Sequence, residues 1–89
     1  MSKEKMDPVK VRRHAQLLFE AVERRHANDI RDAFRNAVKA KLDTEDLAEA
    51  ANIILGSRGL AVQFQDQPGN RWLITTFCGS TPQDRIVVF

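Results

Sequence analysis

The sequence is poor in several things at once. It holds one cysteine, Cys78, in 89 residues, so no disulfide can form within the chain and the core must hold by packing alone. That usage suits a reducing compartment, and cytoplasmic residence is the expectation. Long apolar runs are missing too. The longest, Ile86–Phe89, has four residues, whereas a helix crossing a bilayer needs about 20. Residues 1–7 mix charges with no apolar segment behind them and do not read as a secretory signal. Glycine and proline number four and three, nearly absent before residue 56 and then frequent at Gly56, Gly59, Pro68, Gly69, Gly79 and Pro82. This distribution predicts helices first and strands afterwards. A chain of this length supports one core, burying roughly 60–65% of the unfolded surface. The expected organisation is a single domain over 1–89, with a flexible segment 1–6, helices within 8–55 and an antiparallel sheet over 59–89.

Charge is present in both signs but unevenly placed. The formal net charge is +2. Residues 1–41 carry eleven basic and six acidic side chains, while residues 42–89 carry three basic and six acidic ones. Such asymmetry marks either a nucleic-acid surface or a solvated pair of helices.

Asp7-Pro8 is a helix start, with the aspartate as cap and proline at the first helical position. Val11, Ala15, Leu18 and Val22 form one apolar face, widened by Leu17 and Phe19; Ile30, Ala33, Phe34, Ala37 and Val38 form a second. At about 100° per residue the two faces differ by a quarter turn. A break near His26–Asn28 follows, with Asn28 as the new cap; one long curved helix is the alternative. Asp43 or Thr44 caps a third helix whose buried face is Leu47, Ala50, Ala51, Ile54 and Leu55, ending at Gly56 in a left-handed conformation.

Beyond Arg58 the period becomes two. Leu60, Val62 and Phe64 alternate with Ala61, Gln63 and Gln65, and a Pro-Gly turn over Gln67–Asn70 leads into a strand from Arg71 to Phe77. Opposing Gln67 to Asn70 pairs Phe64 with Leu73 on one face and Gln65 with Trp72 on the other. A third strand, Arg85–Phe89, follows a connection over 78–84. The fold class is α+β, with two or three N-terminal helices packed on a three-stranded antiparallel meander.

In that register Trp72 and Ile74, with Val87 or Phe89, form an apolar second face. Tryptophan is enriched at binding hot spots, and an uncovered apolar patch of this size marks an interaction surface. A helix laid over that face is the competing arrangement. Arg71, Arg31 and Arg35 supply a basic rim. The expected function is therefore a non-enzymatic protein-binding module, a regulator, adaptor or inhibitor of another protein, or a homodimer whose sheets meet.

The alternative is a DNA- or RNA-binding regulator using Arg24, Asn28, Arg31, Arg35 and Lys39. Three helices before a hairpin are the outline of a winged helix, in which the helix preceding the hairpin enters the major groove. Here that helix carries Glu45, Asp46 and Glu49 and no positive charge, and phosphates repel it. Chemistry is not expected. His14, His26 and Cys78 are too few and too scattered for a zinc site or a thiol–imidazole pair. No phosphate loop or nucleophile elbow occurs. The expectations are no enzyme activity, no cofactor, no metal and no evident small-molecule substrate.

Overall fold

Proline at position 8 opens the first helix in the computed structural model, which describes residues 8–89. The Asp7 cap and the expected flexible segment 1–6 lie outside them. Helix α1 spans Pro8–Arg24, α2 spans Ala27–Lys39 and α3 spans Thr44–Gly56. Strands β1 (Leu60–Gln67), β2 (Arg71–Cys78) and β3 (Thr81–Val88) form one antiparallel sheet in the order β1-β2-β3. The molecule is thus an α+β domain.

The break between α1 and α2 is real, and its chemistry is that of a Schellman ending. Arg25 takes a left-handed φ of 58°. Its N–H donates to the Val22 carbonyl and that of His26 to the Ala21 carbonyl, closing the last turn of α1. The same motif ends α2, with Lys41 at φ 67° and the N–H groups of Lys41 and Leu42 donating to Val38 and Ala37. Both stops use a long basic residue where glycine is usual. The cap of α2 is His26, without a side-chain capping bond, so Asn28 is not the cap expected from the sequence; its Oδ1 accepts from Arg31 Nη1 at 2.8 Å. Asp43 does cap α3, accepting from the Glu45 N–H at 2.7 Å. Helix α3 ends in tight turns through Ser57, and the left-handed glycine is Gly59 at φ 72° rather than Gly56.

The hairpin register departs by one residue from the expected one. Three residues, Pro68, Gly69 and Asn70, form the loop, with Gly69 at φ 79° and Asn70 at φ 58°. Asparagine tolerates that left-handed geometry through its short polar side chain. Gln67 consequently pairs with Arg71, Phe64 with Ile74 and Gln65 with Leu73. A one-residue slip exchanges every face. Trp72 and Ile74 therefore point to the helices, and Leu73, Thr75 and Phe77 to the other side. Strand β3 begins at Thr81, four residues before the expected Arg85, because a sheet's edge admits Pro82 without losing a ladder bond. A register shift between Thr76 and Phe77 absorbs the irregularity.

The helices cover one face of the sheet only. Helix α3 lies against β1 and α2 against β3, while α1 packs on both α2 and α3. Their shared core includes Leu18, Val22, Ile30, Phe34, Leu47, Leu55, Ile74 and Ile86, each fully buried aliphatic or aromatic side chain contributing roughly 1.5–3 kcal/mol. Phe34 sits at the centre, its ring 4.9 Å from that of Phe64 and 5.7 Å from that of Trp72.

Both edges of the sheet are capped by helix side chains. On β1, Asn52 mimics a neighbouring strand: its Nδ2 donates to the Val62 carbonyl at 3.1 Å and its Oδ1 accepts from the Val62 N–H at 2.8 Å. On β3, Arg31 Nε donates to the Val87 carbonyl at 2.9 Å. These bonds occupy groups that would otherwise recruit another strand. Asn52→Ala removes both bonds from a half-buried site and is expected to cost about 1–3 kcal/mol. An unchanged urea midpoint in that variant would remove Asn52 as a structural clasp.

A second long-range tie joins the α1–α2 junction to β3. Arg25 donates to Asp84 through Nε at 3.1 Å and Nη2 at 3.2 Å. This hydrogen bonding is the main cause holding the Asp84 carboxyl below its ordinary value of 3.8 and the Arg25 guanidinium above its own. A carboxyl depressed by folding stabilises the native state above its unfolded pKa, and that contribution disappears as pH falls through the folded value. Wild type is therefore expected to melt higher than Asp84→Asn near pH 7 and to converge with it as pH falls below 3.8 and through the lowered folded value. The pair is solvent-exposed, so the gap is small and narrows in salt. Thermal melts across that range check it; a gap independent of pH would assign the effect to packing.

Candidate functional site

The end of α2, the hairpin loop and the end of β3 enclose a cleft of about 400 Å³. Its floor is apolar, made by Phe34 and Val88, both buried. Its walls are Val38 from α2, the half-buried Trp72 of β2 and Phe89. Val38 and Phe89 are 44% and 75% exposed, so apolar surface continues from the floor to the rim. Helical spacing explains the α2 side. Phe34 and Val38 lie one turn apart, and Arg35 and Lys39, each the next residue along, bring two cations to the same border.

The electrostatics of the rim have one sign. Arg35 and Lys39 border the cleft, with no ion-pair or hydrogen-bond partner given by any described residue. Arg71 extends this positive margin around the end of the sheet: its guanidinium carbon lies 6.0 Å from the centre of the Phe89 ring and its Nε donates to the Pro68 carbonyl at 3.1 Å. Among the described residues no aspartate or glutamate side chain lines the cleft.

Four of the six side chains expected to bind a partner meet here: Trp72, Phe89, Arg35 and Arg71. Two do not. Ile74 is 0% exposed, because the corrected register turns it into the core. Arg31 is partly withdrawn by its bonds to Val87 and Asn28. Trp72 also lies on the helix-covered face, not on the uncovered one, and enters the cleft only by its outer side. Of the residues considered for nucleic acid, Lys39 and Arg35 share the cleft, whereas Arg24 ends α1 beside Asp29 and Asp32. The row Asn28, Arg31, Arg35, Lys39 is therefore divided, its first half fastened to the fold and its second half open. Val38 and Asn70 were missed. The apolar stripe placed Val38 in the core, and nothing in sequence showed that the stripe outruns the sheet beneath it.

The uncovered face of the sheet is a second surface. On it the central strand is uncharged, with Leu73 and Phe77 half-buried and Thr75 between them buried, flanked by Ala61, Gln63 and Gln65 on β1 and by Arg85 and Val87 on β3. A larger groove of about 590 Å³ separates α1 from α3, where Arg12 faces a lining that includes Asp46, Glu49 and Ile53. It mixes both signs and has no aromatic wall.

The residues considered for chemistry stay apart in role. His14 sits within α1 with a buried Nδ1 that has no hydrogen-bond partner among the described residues, His26 Nδ1 lies 3.3 Å from Asp29, and Cys78 is exposed at the end of β2. Among the described residues no three His, Cys, Asp or Glu side chains group as metal ligands, and no helix is long and apolar enough to cross a membrane. The fold and site thus define an α+β domain with an aromatic, cation-rimmed cleft. No protein-family model, curated protein or solved structure matches the chain.

Proposed function

We propose that this chain is a non-enzymatic protein-binding module, acting as a regulator, adaptor or inhibitor of another protein, with the Trp72–Phe89 cleft as its contact surface. The cleft itself carries the reading: apolar walls left open beside an arginine and a lysine that no described residue pairs are the arrangement of a hot spot with a polar rim. Nucleic acid is the less favoured ligand. Stacking of successive bases needs several accessible aromatic faces along a charged track, whereas Trp72 packs its ring against Phe34, Arg31 is turned to β3, and Phe89, already faced by Arg71, is the one exposed ring of the cleft.

Phe89 and Arg35 are exposed, so Phe89→Ala and Arg35→Glu should leave stability within about 0.5 kcal/mol. The immobilised protein is expected to retain a partner from its source lysate in the presence of nuclease, and both variants to lose it. Retention abolished by nuclease, with loss only in Arg35→Glu, would sink the protein-binding reading in favour of nucleic acid.

A homodimer is supported at a different place, the uncovered sheet face. An isologous contact lays one patch on its own copy, and the half-buried, uncharged Leu73 and Phe77, on either side of the buried Thr75, meet their own copies without opposing like charges, which the cationic cleft cannot do. Sedimentation is expected to show a dimer that Phe77→Glu dissociates. A wild-type monomer throughout the micromolar range would discard this contact while leaving the cleft unaffected.

A further inference from the structure

The chemistry of the cleft selects among protein partners. Its volume, about 400 Å³, is at the lower end of the range for small ligand sites and admits one or two side chains rather than a folded surface. The floor and walls offer only carbon and the outer side of the indole, so whatever enters must be apolar. The charged side chains of the rim are all cations, Arg35 and Lys39 on one wall and Arg71 against Phe89, with Asn70 as a neutral polar neighbour. Carboxylates satisfy guanidinium groups by bidentate bonds. A segment that puts an apolar side chain in the cleft and acids beside it complements both features at once.

Resting on the protein-binding reading above, we propose that the cleft takes an acidic segment of the partner protein, with an aliphatic or aromatic anchor seated between Trp72, Val38 and Phe89. The flanking carboxylates pair with Arg35, Lys39 and Arg71. A single strand of nucleic acid would present phosphates to the same cations, but its bases would find the half-buried indole packed at a tilt against Phe34, with only its outer side open. A strand added at the sheet edge is opposed by the Arg31 bond to the Val87 carbonyl, so the segment docks by side chains rather than by a backbone ladder.

The chain has one tryptophan and no tyrosine, so its emission reports Trp72 alone. The probes are synthetic peptides free of tryptophan and tyrosine: aspartate- and glutamate-rich with a central leucine or phenylalanine, the same with alanine at the anchor, and the same with lysines for the acids. Oligothymidylate is the fourth probe. The acidic anchored peptides are expected to shift Trp72 emission saturably and to weaken with salt. Arg35→Glu with Lys39→Glu, and separately Phe89→Ala, should weaken them by about tenfold or more. Equal binding of the alanine or lysine peptide would overturn the proposal, as would emission that changes with protein concentration alone, which makes a second copy the occupant. Cleft-dependent, nuclease-resistant capture of a protein without binding of any acidic peptide overturns this proposal and leaves the protein-binding reading standing. Oligothymidylate binding that the same variants abolish overturns both.

Discussion

The three-residue loop Pro68-Gly69-Asn70 is the constraint on which the rest of this structure depends. Side chains alternate strictly along a strand, so the loop length decides which set of β2 joins the core. With three residues the inner set is Trp72, Ile74 and Thr76, and the outer set is Leu73, Thr75 and Phe77. A two-residue loop would exchange them, put Leu73 and Phe77 under α2 and α3, and leave the indole in water. Two consecutive left-handed residues, Gly69 and Asn70, make the longer loop affordable in conformational terms. The cleft inherits this decision, since Trp72 reaches it only from the inner face.

Phe34 transmits the register to the helices. Fully buried, it touches Phe64 of β1 and Trp72 of β2 from a position in the middle of α2, and this fixes where α2 crosses the sheet. The C-terminal half of α2 brings Arg35, Val38 and Lys39 to the border of the cleft, opposite Trp72 and Phe89. Arg31, one turn before Arg35, still lies over the sheet and is bonded to Val87. One row of equally spaced cations thus divides into a fastened part and an open part by geometry alone.

Much of this was legible. Periodicity gave two or three helices followed by three antiparallel strands, their order and the single core, because hydrophobic spacing reports which face is buried wherever one face is buried. The aromatic and arginine residues of the cleft were mostly legible too, though for a mistaken reason: Trp72, Phe89, Arg35 and Arg71 were grouped on an outer face, whereas they gather around the end of α2 and the sheet. The remaining errors have physical sources. A Pro-Gly-Asn sequence fits loops of either two or three residues, so the register was open. Arg25 and Lys41 terminate helices in a conformation that sequence associates with glycine. Pro82 reads as a strand breaker, yet an edge strand tolerates it. None of these depends on local composition; each is settled by which neighbour the backbone meets after folding.

Whether the cleft is a by-product of packing turns on Val38 and Phe89. Neither belongs to the buried core, and their outer surfaces are in water, so polar groups at both positions would leave Phe34, Ile74 and Val88 covered by their existing neighbours. Packing therefore does not require apolar residues there. Nor does it require Arg35 and Lys39, which anchor nothing in the fold, in contrast to Arg25, Arg31 and Arg58, each of which binds an atom distant in sequence. The cations that tie elements together and the cations that tie nothing are different residues. Arg12 also stands near exposed Ile53, but among carboxylates; around the Trp72–Phe89 cleft every charged side chain is a cation, and their coincidence there with exposed apolar and aromatic surface is the physical case for a ligand.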